Sequence, residues 1–389
     1  MTGARAASGS RLYFVDYLRA AIVSLVFLHH TAIMYGASGS WYYIEPATDA
    51  AAAGLLSLFT NFNQAWFMGL FFLLSGYFSP ESYDRKGLSG FLRDRLLRLG
   101  VPLLVFFFLL NPITVYLAFV HVPASVAAAQ GLTVPVVLNV QFFPQNAGTG
   151  PLWFVEMLLI FDLGYALYRF LARNRGLRGE SSRPMPSYRQ VVAFTVTMAL
   201  CEYLLRIVVP INFSVFGFPS LFDLPQYLGL FLVGLAAARG DWLRQMPYSM
   251  GRRMFVVALV ASATLLPLSI IGTEVNSLGW GTLLGHGSPS SAFYALWDST
   301  FAVGACMFAV GLFRQHFRER GKLWSFLSRN SYAAYVMQAP VIVVVGAFLL
   351  QPVHLESLLK FMLAAVIVVP SVWLAAYLVR RIPGAARIL

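Results

Sequence analysis

Long apolar runs, broken by short clusters of charge and turn formers, recur along this chain of 389 residues. Each run is about 20 residues long, the length an α-helix needs to cross roughly 30 Å of hydrocarbon. Ten are predicted, near 13–35, 55–79, 100–121, 151–171, 190–210, 222–239, 254–271, 293–313, 330–350 and 358–379. The expected fold class is therefore all-α: a polytopic membrane helix bundle of about ten transmembrane helices. It divides into a tail over 1–12, a transmembrane domain over 13–379 and a closing tail over 380–389. The first run, Tyr13 to Tyr35, has Asp16 and Arg19 within it and no small-residue cleavage site behind it, so it is expected to be a retained span.

The basic residues test this layout independently, because short cytoplasmic loops retain Lys and Arg. Arg5 and Arg11 precede the first run. Arg85, Lys86, Arg93, Arg95 and Arg98 follow the second, and Arg173, Arg175, Arg178, Arg183 and Arg189 the fourth. Arg244, Arg252 and Arg253 follow the sixth, Arg314, Arg318, Arg320, Lys322 and Arg329 the eighth, and Arg380, Arg381 and Arg387 close the chain. Only Arg206 and Lys360 lie near a loop on the other side. Both termini are thus expected to be cytoplasmic.

Composition agrees with a bilayer setting. Hydrophobic residues make up 58% and charged residues 11%, and mean hydropathy is +0.69, whereas a soluble domain is about a quarter charged. Net charge is +12, spread over several loops; it fits membrane orientation and anionic headgroups rather than a nucleic-acid partner. Cys201 and Cys306 sit in apolar segments, which argues against a disulfide framework or a thiolate metal site. The outer loops Gly36 to Ala53, with Trp41, Tyr42 and Tyr43, and Val122 to Gly150 are nearly uncharged. Such surfaces suit sugars, although Trp and Tyr at membrane edges more often form an interfacial belt.

Within the first run, Asp16, Arg19, Val26 and His30 share a stripe. The eleven-residue step from Arg19 to His30 returns to within about 20° of one face and covers roughly 16 Å along the axis. His29 is turned about a quarter-turn away. Intramembrane ionisable groups are functional candidates by default, so Arg19 and His30 are the leading site pair.

Three more motifs follow: Phe71-Phe-Leu-Leu-Ser75-Gly76-Tyr77-Phe78-Ser79, Arg93-Asp-Arg95-Leu-Leu-Arg98-Leu-Gly-Val-Pro102 and Gly150-Pro151-Leu152-Trp153-Phe154. With Asp16-x-x-Arg19-(x10)-His30, the late Asn330-Ser331-Tyr332-x-x-Tyr335 and the closing Arg380-Arg381-Ile382-Pro383, the chain resembles the integral-membrane acyltransferase-3 family over nearly its whole length. Tyr13-Phe-x-Asp16 and Gly-Tyr-Phe-Ser are most similar to the branch that succinylates periplasmic glucans. One departure stands out. Where many members read Tyr-x-x-His, this chain has Tyr335-Val-Met-Gln338, which keeps a hydrogen bond but carries no charge.

The resemblance implies transfer of an acyl group, acetyl or succinyl, from acyl-coenzyme A to a hydroxyl of an envelope glycan or other glycosylated acceptor, in a bacterial inner membrane. Acyl-coenzyme A would be a co-substrate, with no permanently bound cofactor and no metal. His30 would serve as general base, since neutral imidazole is suited to taking the acceptor's proton; the alternative is a plain interhelical hydrogen bond. Arg19 would meet the donor, or pair with Asp16 at i+3. Arg95 and Arg98, at i and i+3, would hold its phosphates or anchor the cytoplasmic face; all but Lys86, Lys322 and Lys360 of the 28 basic residues are arginine. Ser75 is a conceivable acyl-accepting nucleophile, though helix packing beside Gly76 suits it better, and Trp153 would line the path or sit at an interface.

Other ionisable groups fall within the runs. Glu202 and Arg206, at i and i+4, are expected to pair, with Arg206 a receiver for a succinyl carboxylate. Glu156, without a local partner, is expected to orient His30. A rival function is a proton-coupled transporter or flippase, but neither an internal repeat nor matched Gly/Pro-broken helices is present.

Overall fold

In a computed structural model the protein is described over residues 12–120, 141–174, 183–211, 221–275, 285–317, 319 and 321–389. Arg5, Arg11, Arg175, Arg178, Arg318, Arg320 and most of the Val122 to Gly150 loop lie outside these residues. The described residues are mostly helical, with no strand. In chain order the main helices are α1 (Tyr13–Met34), α2 (Ala50–Gln64), α3 (Phe67–Arg95), α4 (96–119), α5 (Trp153–Asn174) and α6 (Tyr188–Val208). Then come α7 (Leu224–Gly240), α8 (Tyr248–Val275), α9 (Pro289–His316), α10 (Lys322–Val344) and α11 (Ser357–Val379).

Among the described residues nine helices are long and apolar enough to cross a membrane, against ten runs in the sequence. The difference has one source. Ala50–Phe119 forms one nearly continuous helical run of 70 residues, interrupted at Ala65–Trp66 between α2 and α3, that takes in the second and third apolar runs. At about 1.5 Å per residue it would reach roughly 105 Å, several bilayer thicknesses, so it has to turn. It turns at Gly87, whose φ of 67° and ψ of 179° no helical residue adopts. α4 then carries two π-helical turns, Leu96–Gly100 and Phe106–Leu110.

Local signals explain several starts. Asp49 accepts from Ala52 N at 2.8 Å and caps α2; that bond holds its carboxyl below the ordinary aspartate range. Ser187 and Gln190 form a reciprocal capping box on α6. In a bilayer, helices associate through close backbone approach rather than a hydrophobic drive. Gly76 on α3 and Gly234 on α7 provide it: a Cβ on Gly76 would strike Phe231 O, and one on Gly234 would strike Leu73 O.

α1, α9 and α10 are the most enclosed spans, whereas α8 and α11 turn most of their surface outward. Val256, Val257 and Val260 of α8 and Met362 and Val366 of α11 are exposed, as a lipid-facing surface requires. The helix bearing Arg19 and His30 therefore runs through the interior, packed against α10 and α11.

Candidate active site

α1 is unbroken from Tyr13 to Met34, so Asp16, Arg19 and His30 do share one face. Each of the three is half-buried among neighbours that are mostly closed off. Arg19 approaches Asp16 at 3.8 Å, the i+3 pair that the sequence suggested. Its guanidinium also lies 4.8 Å from the ring centre of Phe78, three residues past Ser75 on α3.

His30 is held from two sides. Its Nδ1 is 3.0 Å from Oε1 of Gln338 on α10, and the Trp41 indole stacks flat on its ring, with centroids 4.0 Å apart and planes 14° from parallel. An amide oxygen only accepts, so Nδ1 carries the hydrogen and donates, and Nε2 of the neutral ring keeps its lone pair. A proton acceptor is thereby fixed in orientation. Gln338 Nε2 and Trp41 Nε1, both buried, have no hydrogen-bond partner, so polar capacity is left over beside the imidazole. His29 is more deeply buried and leans on Phe67.

The loop after α1 is anchored inward at every aromatic. Tyr42 Oη donates to Asn111 Oδ1, and Tyr43 Oη donates to Glu45 Oε1 at 2.9 Å. Glu45 in turn receives Lys360 Nζ at 2.5 Å. Burial pushes both phenols up, with Glu45 adding to the effect on Tyr43, so both stay protonated donors. Trp41, Tyr42 and Tyr43 thus each have a specific partner in the protein.

Two motifs far apart in sequence meet beside this loop. Tyr335 Oη, one turn before Gln338, donates to Pro151 O. Gly150 has φ +45°, and a Cβ there would collide with Tyr42 Oη and sit 3.0 Å from Asn111 Oδ1. The Gly-Pro-Leu-Trp segment therefore needs glycine to clear the anchored loop. Trp153 is 9% exposed and packs 5.5 Å from Tyr227, a core position rather than a membrane edge.

The remaining site residues separate. Arg95 turns inward: its Nε is 2.9 Å from buried Asp162 Oδ2, and Ser79 Oγ donates to the same carboxylate at 2.8 Å. Arg98, 61% exposed, faces Asp94 at 3.4 Å. The two arginines thus do not converge on one point. Glu156 is half-buried and has no hydrogen bond or ion pair with His30 among the described residues. Ser75 donates no side-chain hydrogen bond; its carbonyl accepts from Ser79 Oγ, and Gly76 beside it makes the close helix contact.

Arg206 corrects an expectation. It is fully buried, and its Nη2 lies 2.7 Å from Asp223 Oδ1 and 2.6 Å from Asp298 Oδ2, both closer than Glu202 at 3.8 Å. All three carboxylates face its Nη2, whereas its buried Nε and Nη1 have no hydrogen-bond partner among the described residues. Sequence reasoning found the i+4 partner but not the two distant ones, because spacing reports only neighbours on one helix. For the same reason it missed Gln338 as the partner of His30; the departure from Tyr-x-x-His was the one available signal. Among the described residues no group of His, Cys, Asp and Glu is arranged to hold a metal, and both cysteines are free.

A family model described as an acyltransferase domain, Acyl_transf_3, matches residues 12–380. The chain belongs to the acyltransferase 3 family. Over a shorter stretch of 94 residues this acyltransferase is 35% identical to glucans biosynthesis protein C of Salmonella schwarzengrund and of Salmonella typhi. That stretch is 24% of the chain and 23% of each relative, so it spans about a quarter of their length. The counterpart in Salmonella paratyphi B is 34% identical over the same span. No solved structure matches the chain. Its family and its candidate spans make it an integral membrane protein.

Proposed function

We propose that this protein moves an acetyl or succinyl group from cytoplasmic acyl-coenzyme A to a hydroxyl of an envelope glycan or other glycosylated acceptor, in the bacterial inner membrane, with His30 as general base. The observation that carries this reading is the pairing of His30 Nδ1 with Gln338 Oε1 on an interior helix of an acyltransferase. The name of its relatives, glucans biosynthesis protein C, supports a glucan or similar glycan as acceptor.

In the reaction, the acceptor oxygen attacks the thioester carbonyl while Nε2 of His30 takes the hydroxyl proton. A C–O bond forms, the C–S bond breaks, and the coenzyme A thiolate leaves and is reprotonated from His30. A positioned base of this kind contributes about 10²–10⁴-fold. With the basic loops inward, Arg19 stands about 16 Å nearer the cytoplasm than His30. That offset suits a donor arriving from inside and an acceptor from outside. Arg98, exposed beside Asp94, is the freer of the two motif arginines to meet donor phosphates, whereas Arg95 acts through Asp162.

The test is consumption of labelled acetyl- and succinyl-coenzyme A by membranes carrying wild type or His30→Ala, offered a glycan extract. Label entering glycan with wild type alone is expected. Full turnover by a folded His30→Ala protein would sink the mechanism. Label from another acyl donor only would keep the transfer and remove coenzyme A, and no transfer from any donor would favour glycolipid transport.

A further inference from the structure

At the end of the bundle where α10 begins and α11 ends, a pocket of about 650 Å³ opens between the two helices. Lys322, Arg329, Arg380 and Arg381 line it, with Phe326 and Tyr377 forming its apolar side. Among the described residues none of the four cations is paired with a carboxylate. Arg380 donates instead to Arg329 O and Asn330 Oδ1, and its buried Nε has no partner. Arg381 bonds Tyr377 Oη and lies over that ring. Four like charges around one cavity repel one another, and an anion in the cavity would relieve that repulsion.

The surroundings say which anion. Leu323 on α10 and Leu374, Leu378 and Ile382 along and just beyond α11 are 67%, 56%, 56% and 57% exposed. They form an apolar strip beside the pocket, running along the membrane-crossing surface of α11. A ligand with a phosphate at one end and hydrocarbon at the other matches both features, and basic pockets at helix ends suit such headgroups. We propose that this pocket binds the phosphoryl headgroup of an anionic phospholipid, with the acyl chains lying along α11. The proposal is independent of the acyl-transfer reading.

The test uses the full chain purified in detergent and stripped of lipid, titrated with phosphatidylglycerol, phosphatidylethanolamine or coenzyme A, with bound ligand read by native mass spectrometry. Phosphatidylglycerol is expected to bind and phosphatidylethanolamine to bind weakly. Arg329→Ala and Arg381→Ala are each expected to weaken phosphatidylglycerol about fivefold, in line with the contribution of a single basic residue near a membrane surface. Arg329→Lys and Arg381→Lys should retain most of it, which separates lost charge from lost folding. Arg252→Ala, in the first turns of α8, should change nothing. Equal retention of both phospholipids, or no loss in the alanine variants, would overturn the proposal. Displacement of phosphatidylglycerol by coenzyme A at these same arginines would also overturn it, and would give the pocket to the donor's phosphates.

Discussion

Gln338 is where a single side chain decides most. Its carbonyl fixes which nitrogen of His30 bears the hydrogen, a role that a charge-free amide fills as well as a histidine would. Gln338→Ala is expected to lower kcat about tenfold, close to the 1.4 kcal/mol that a lost hydrogen bond of this kind would forfeit, with the acceptor KM little changed. Steady-state kinetics in membranes checks this, and an unchanged kcat would show that His30 is oriented by something else. The sequence placed Asp16, Arg19 and His30 on one face correctly because helical periodicity is a local property. It could not show that Trp41 lies on His30, since a loop's path depends on anchors such as Asn111 and Lys360 that are distant in sequence.

Between elements, the close crossing of α3 and α7 makes the sharpest claim. Gly76→Ala puts a methyl into Phe231 O, backbone that cannot step aside, so little folded protein should survive extraction into mild detergent. Gly54 on α2 has nothing within 4 Å of where its Cβ would be. Gly54→Ala should therefore be harmless or stabilise by up to about 1 kcal/mol through helix propensity. Thermal melting of the two variants side by side separates a packing requirement from a general intolerance of change. Most span positions were legible, since hydropathy marks them directly, but the second run, 55–79, straddles the break at Ala65–Trp66 between α2 and α3. The continuous run across the second and third spans was not, because a helix carried past the membrane edge and turned at Gly87 leaves no hydropathy signature.

For the molecule as a whole, the alternation of basic loops predicts both ends inside the cell. With Cys201 and Cys306 replaced, a cysteine at exposed Ser38 should react with an impermeant maleimide added to spheroplasts, and one at Ala386 only after lysis; the reverse pattern would invert the topology. The cluster around Arg206 bears on how such a chain is made. Asp223 follows Arg206 by 17 residues and Asp298 by 92, so α6 emerges from the ribosome with Glu202 as the one carboxylate partner of Arg206 while its two closer partners are untranslated. Arg206 lies in the last turn of α6, so its insertion costs less than the about 2.5–3.5 kcal/mol of an arginine at a helix centre, but it still favours a paired partner. A chain halted before Asp298 should thus leave α6 incompletely integrated, as glycosylation mapping would show, and Arg206→Leu should free it from that wait. On that outcome, biogenesis of this chain is not a strict first-come order: an early helix waits in the bilayer for a carboxylate synthesised well after it.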